Sequence, residues 1–281
     1  MKARDDVPRR GFRKKTARWM FALGVFLMVN VVVAFLMGPM VVRSMRKSGL
    51  ATAAHNSKQL HLALFEFDQD YGFFPGDQAA EMEDGYPQHR GEYSNDYFKQ
   101  LFENGNITSE ENFYARGGSR DQRQPDGDVS SMDRAIEAGE CGFAYVKNMD
   151  TSSYDPSTPL LLASMYGDGY KFNTDVYRGR AMVLSIDGSV KQYALNDDHE
   201  ALADDGSELF GDRKNMTWGK TGFDPDHLCY AKYPYSFKPS STRWLELFFG
   251  QYFGVLAMVL VVSFAVSIFA FALTRKWVET P

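Results

Sequence analysis

The chain is short of the residues that most often carry chemistry. Its 281 residues include two cysteines and five histidines, so a four-ligand zinc site would use most of its thiolate and imidazole supply. It has no CxxC pair, no HExxH, no GxxxxGK[ST] and no GxGxxG. That removes the simplest sequence signatures of thiol redox chemistry, zinc hydrolysis and phosphate cradling. Positive charge is missing from the middle. The net charge is −5; residues 1–42 carry eight basic and two acidic side chains and residues 253–281 add +1, which leaves −12 on residues 43–252. Phosphate contacts need clustered Lys and Arg, so no nucleic-acid partner is expected for that segment.

The nearest approaches to a site are sparse. His227 and Cys229 lie beside Asp224 and Asp226, ligand types for a metal, but surface or disulfide roles fit them better. His199 follows Asp197 and Asp198, yet no nucleophile elbow completes a hydrolase triad. Asp126-Gly127-Asp128 with Asp133 slightly resembles a calcium loop but lacks the spaced ligands and closing Glu of an EF-hand. The expectation is a protein that is not an enzyme, with no catalytic, cofactor-binding or metal residues, and a solvated acidic loop in which calcium is the only cation worth considering. Cys141 and Cys229 form an even pair, which in an oxidising compartment predicts one disulfide.

Long uncharged runs, by contrast, are present. Trp19 to Val42 is 24 residues without a charge, and Tyr252 to Leu273 is 22. As a helix the first would be about 36 Å long, more than a hydrocarbon core of about 30 Å. Both are predicted as transmembrane helices, with the lipid bilayer as partner. Lys2, Arg4, Arg9, Arg10, Arg13, Lys14, Lys15 and Arg18 precede the first run, and Arg275 and Lys276 follow the second. The positive-inside rule then puts both termini in the cytoplasm. The expected order is a basic tail (1–18), a transmembrane helix (19–42), an external domain (43–243), an interfacial segment (244–251), a second transmembrane helix (252–273) and a cytoplasmic tail (274–281). Pro39 predicts a kink or a break near the outer end of the first run. Ala51-Thr52-Ala53 has the spacing of a signal-peptide cleavage site. The run is longer than a usual h-region, however, and Arg43, Arg46 and Lys47 separate it from that site, which favours an uncleaved anchor.

Beyond the basic step the helical period resumes. Leu50, Ala53, Ser57, Leu60, Leu64, Phe67 and Tyr71 recur at spacings of three and four and share one helix face. Asn56, Lys58, Gln59, Glu66 and Asp70 occupy the other, and Gly72 and Pro75 supply the stop. Ser94 or Asn95 can cap a short helix carrying Tyr97, Phe98, Leu101 and Phe102. Thr108-x-x-Glu111 reads as a capping box, and a third short helix is predicted at about residues 130–138. The period then changes to two. Strands are predicted at Gly142–Val146 and Leu160–Ser164, and a hairpin runs from Ala181 to Leu195 around a type I′ turn at Asp187-Gly188. The predicted class is α+β, a long N-terminal helix, transmembrane and then amphipathic, packed on an antiparallel sheet, followed by a C-terminal transmembrane helix.

The run Asn56-Ser-Lys-Gln-Leu-His-Leu-Ala-Leu-Phe-Glu-Phe-Asp-Gln-Asp-Tyr-Gly-Phe-Phe-Pro75 resembles the segment that closes the long helix of pilins and pseudopilins. Val183-Leu-Ser-Ile-Asp-Gly-Ser-Val190 resembles the Asp-Gly-Ser hairpin of the pilin-like group. The resemblance is greatest to the major pseudopilin of type II secretion and to exported pilin-like proteins. It implies a non-enzymatic structural or interaction protein of the bacterial inner membrane, with a periplasmic head and secretion or pilus machinery as partner. Two features depart from that pattern. Gly11-Phe12 is followed by Arg13, Lys14 and Lys15 rather than by an apolar run with an early Glu, and there are two apolar runs rather than one. A subunit with two spans is expected to stay in the membrane rather than enter a filament. The competing expectation is an acidic envelope module that binds a cation or an envelope polymer and has no filament role.

Overall fold

The computed structural model describes residues 10–82, 86–117, 121–166, 169–211, 216–219 and 222–234. The chain divides into two compact units, Ser44–Ser240 and a second made of Met1–Arg43 with Ser241–Pro281. Helix α1, Arg10–Tyr71, contributes to both.

In the first-described part of α1 the apolar side chains Leu23, Leu27, Met28, Val32 and Met40 are exposed. Among the described residues no helix is long and apolar enough to cross a membrane. This overturns the transmembrane helix expected at residues 19–42, and with it the membrane-tethered form of the predicted fold. The run is not a separate apolar cylinder. It belongs to one helix of 62 residues that begins at Arg10 and continues past Arg43, Arg46 and Lys47 into a strongly polar segment. Pro39 does not break the helix, since α1 runs through it. Asn30 is satisfied within its own helix, its Nδ2 donating to the Phe26 carbonyl at 2.7 Å. The second expected span (252–273) and the interfacial segment (244–251) lie outside the described residues.

The Ser44–Ser240 unit is α+β. The stripe read from the sequence is the buried face of α1: Ala53, Ser57, Leu60, Leu64 and Phe67 are buried, with Leu50 and Tyr71 packed at its ends. Each large apolar side chain so buried stabilises the fold by about 1.5–3 kcal/mol. Gly72, at φ +81°, ends the helix in the left-handed region, and its N–H donates to the Asp68 carbonyl. Two helices follow, α2 (Asp77–Glu81) and α3 (Ser94–Glu103). The α3 N-terminus differs from expectation. Tyr93 is its N-cap, its N–H donating to Asp96, while Ser94 and Asn95 sit inside the first turn and are buried. Ser94 Oγ donates to the Phe143 carbonyl, and Asn95 donates to Ile136 and accepts from Lys232. These two side chains serve long-range contacts, so they are not free to cap.

Among the described residues eight strands follow: β1 Phe143–Val146, β2 Pro159–Ala163, β3 Met165–Tyr166, β4 Lys171–Phe172, β5 Arg180–Ser185, β6 Val190–Leu195, β7 Ala201–Leu202 and β8 Leu228–Cys229. Six form an antiparallel sheet in the order β7-β6-β5-β2-β1-β8, and β3 pairs with β4. β1, β2 and β5 are buried at all but one position, so both faces of the sheet centre are covered; β6 is exposed at Lys191, Gln192 and Ala194 and buried at Tyr193. The α1 stripe and these strands belong to one core.

The β5–β6 hairpin is present, but its turn is not type I′. That turn needs positive φ at two successive residues, and only Gly188, at φ +75°, has it. Ser185 and Ser189 pair, and the Gly188 N–H donates to Ser185, the pattern of a type I turn closed by a glycine bulge. The turn leans on α1. His61 Nε2 lies 2.7 Å from the Ile186 carbonyl oxygen, and a Cβ at Gly188 would meet the His61 ring at 2.9 Å.

Candidate functional site

The segment between α3 and β1 is long, mostly without regular structure, and held by side chains. The helix expected at residues 130–138 is a series of turns, and the cap near residue 109 is Ser109 rather than Thr108. What organises the segment is Glu110, 1% exposed. Its Oε1 accepts the Ile136 N–H at 2.8 Å and its Oε2 the Gly127 N–H at 2.9 Å. Ile136 has φ +49°, an unfavourable conformation for a β-branched residue. The Glu110 bond helps hold it there.

Two further carboxylates face Glu110. One oxygen each from Glu110, Asp126 and Glu140 lie within 4.8 Å of one another. Glu140 is buried and accepts the Glu137 N–H at 2.7 Å through Oε2. Asp126 is exposed and accepts the Asp128 N–H. Arg123 borders the group, bonded to Glu137 and 3.4 Å from Glu140 Oε1. Burial pushes the Glu140 carboxyl up, the Glu137 amide and Arg123 oppose that, and the Glu110 and Asp126 charges add to it; the outcome is a raised pKa.

A second polar network joins α2, α3 and β1. Lys147 Nζ lies 2.8 Å from Asp77 Oδ2 and 2.9 Å from the Tyr97 hydroxyl, and Asn148 Nδ2 donates to Asp77. Burial alone would raise the Asp77 carboxyl, but hydrogen bonds from Lys147, Asn148 and Tyr97 outweigh it and bring it down to about 2. Burial opposes the charge on Lys147, yet Asp77 and Tyr97 carry its pKa up to about 12. Both partners are therefore charged across the neutral range, and the network is a staple rather than an acid–base pair.

Of the residues singled out in the sequence, Asp126 joins the carboxylate group, whereas Asp128 turns to Ser130 and Arg134, and Asp133 lines a separate surface cavity with Asp96, Lys99 and Lys232. Among the described residues, Glu110, Asp126 and Glu140 are the only group of three or more potential ligands so placed. The His227, Cys229, Asp224 and Asp226 set is not assembled: His227 pairs with Asp224 at 3.6 Å, while Cys229 is buried in β8. His199 Nδ1 faces the Tyr166 hydroxyl at 3.4 Å. Cys141 and Cys229 are both free and buried. The register sets Cys229 opposite Tyr145, near the far end of β1, whereas Cys141 lies before β1 begins at Phe143. Burial pushes the Cys141 thiol up to about 11 and the Cys229 thiol up to about 12, which leaves both unreactive.

Glu110 and Glu140 were invisible in the sequence because their partners are distant. The nearest signal was Glu140-Cys141-Gly142, a charge at the mouth of an apolar strand. No protein-family profile, curated protein or solved structure matches the chain.

Proposed function

We propose that the chain is a structural or interaction protein rather than an enzyme, with a pilin-like head that docks on other subunits of a secretion or pilus-type assembly. The observation that carries this reading is the α1 stripe. Ala53 to Phe67 enters the core of an antiparallel sheet, and the β5–β6 turn rests on His61 of the same helix. That is the layer arrangement implied by the Asn56–Pro75 and Val183–Val190 segments. The side of α1 away from the stripe leaves Leu62 and Phe65 exposed, at 61% and 43%, as apolar anchors for a partner.

Purification of the full chain from its own cells under mild conditions tests the reading, with retained proteins identified by mass spectrometry. The expected result is a secretion or pilus component that is lost from the Leu62→Glu/Phe65→Glu variant. Recovery of the folded protein without such a component would overturn it.

A further inference from the structure

Residues 19–42 of α1 are uncharged on every side, yet the sides are not alike. Leu23, Val25, Leu27, Met28, Val29 and Val32 are exposed, whereas Phe26, Asn30 and Val33 are half-buried. Spacings of four and three put these last three on one side of the helix. The valines make the contrast independent of side-chain type, since Val33 is half-buried while Val25, Val29 and Val32 are exposed. A bare helix would show no such side, so another part of the same chain covers it. Met40, seven residues beyond Val33 on the same side, is exposed. The cover is therefore local, as where two helices cross. The compact unit that holds this part of α1 is Met1–Arg43 with Ser241–Pro281. Residues 1–9 carry five charged side chains and suit an apolar side poorly; the uncharged run Tyr252–Leu273 suits it well.

We propose that the Tyr252–Leu273 run packs as a helix across the Phe26–Asn30–Val33 side of α1, with the Ser263 hydroxyl donating to Asn30 Oδ1. Polar groups set the register. Asn30 is the one amide in Trp19–Val42, which has no hydroxyl or charge, and it falls at the middle of that run. Ser263 falls at the middle of Tyr252–Leu273. Because both are central, runs laid side by side bring them level whichever direction the second takes. Asn30 Nδ2 donates to the Phe26 carbonyl at 2.7 Å. That bond engages neither the second N–H nor the carbonyl oxygen of the amide. Between apolar surfaces an unmatched amide oxygen or hydroxyl is costly, so each group gains from the other. As a helix the second run also puts Val259, Ser263 and Ser267 on one side, at spacings of four. Small serines there let the two backbones approach.

This pairing joins the two ends of the chain and is independent of the docking role at Leu62 and Phe65; a chain with no protein partner would still make it. The test is cysteine cross-linking of the full chain in intact cells with copper phenanthroline, read on non-reducing gels and by mass spectrometry of the linked peptides. Cys141 and Cys229 are buried and do not compete. Asn30→Cys/Ser263→Cys should link within one chain, since a disulfide needs Cα atoms within about 7 Å. Met28→Cys/Ser263→Cys should link at least about tenfold less, because Met28 is exposed on the far side of the helix. Links from position 30 that form only between two chains would make a second copy the occupant and overturn the proposal. So would equal linking from positions 28 and 30. A third contrary result is no link from Asn30→Cys to a cysteine placed at Val259, Ser263 or Ser267.

Discussion

The β5–β6 hairpin and the 104–142 segment solve the same problem by opposite means. The hairpin satisfies its backbone through a regular ladder, with pairs from Arg180↔Ala194 to Leu184↔Val190, and buries its apolar residues in the core. Among the described residues the 104–142 segment has no ladder. Scattered backbone bonds, such as Arg123 to Gly139 and Gly142 to Phe113, are joined there by side chains: Glu110 for Gly127 and Ile136, Gln122 for Gly117 and Ala115, Asn95 for Ile136. Apolar burial is non-directional and spread over many contacts. A scaffold of side-chain acceptors concentrates the same task in a few residues, so it is more sensitive to charge, pH and ions.

The sharpest way to break the comparison is in the shared core. Phe67→Ala should cost about 3–5 kcal/mol by chemical denaturation, because it empties a fully buried site in the shared apolar core. Glu110→Ala should cost about 2–4 kcal/mol, since it strands two backbone amides and frees Ile136 from its held conformation. Hydrogen exchange should localise the damage to residues 104–142 and spare the hairpin.

The Asp77 staple gives a pH test of intermediate size. Its folded carboxyl titrates near 2, below the ordinary 3.8. The contribution is therefore present above about pH 4 and is lost as pH falls through about 2, amounting to roughly 2 kcal/mol. Asp77→Asn should remove that step from the acid-denaturation profile. Glu140 has the opposite sign: a raised carboxyl makes its contribution to stability fall as pH rises through its folded pKa. Smallest is Gly188→Ala. A left-handed φ and the 2.9 Å approach to His61 should together cost about 1–2 kcal/mol in a thermal melt.

The same contrast explains what could be read from residues alone. The α1 stripe from Leu50 to Tyr71 and the Ala181–Leu195 hairpin were legible because their periods, near 3.6 and 2, are local. The Asp187-Gly188 turn was misread in type because composition permits both turns, while docking on His61 accompanies only the one found. Ser94, Asn95 and Thr108 looked like caps because their side chains suit capping, but the first two are engaged at Phe143, Ile136 and Lys232. β8 and its pairing with β1 were not legible: Leu228–Cys229 is too short to show a period. Neither was the carboxylate group, since Glu110 reaches amides 17 and 26 positions away. The uncharged run at residues 19–42 misled for another reason. A window of composition registers the run itself, while the helix that contains it begins and ends in charged sequence.

The rims of the main sheet carry a consequence of their own. On one side it ends in Ala201–Leu202 and on the other in Leu228–Cys229, two residues each. β7 pairs only with Ala194 and Leu195 of β6, so Val190 to Tyr193 form a margin of the sheet that no described strand covers, and Lys191, exposed there, places a charge of the kind that discourages strand addition.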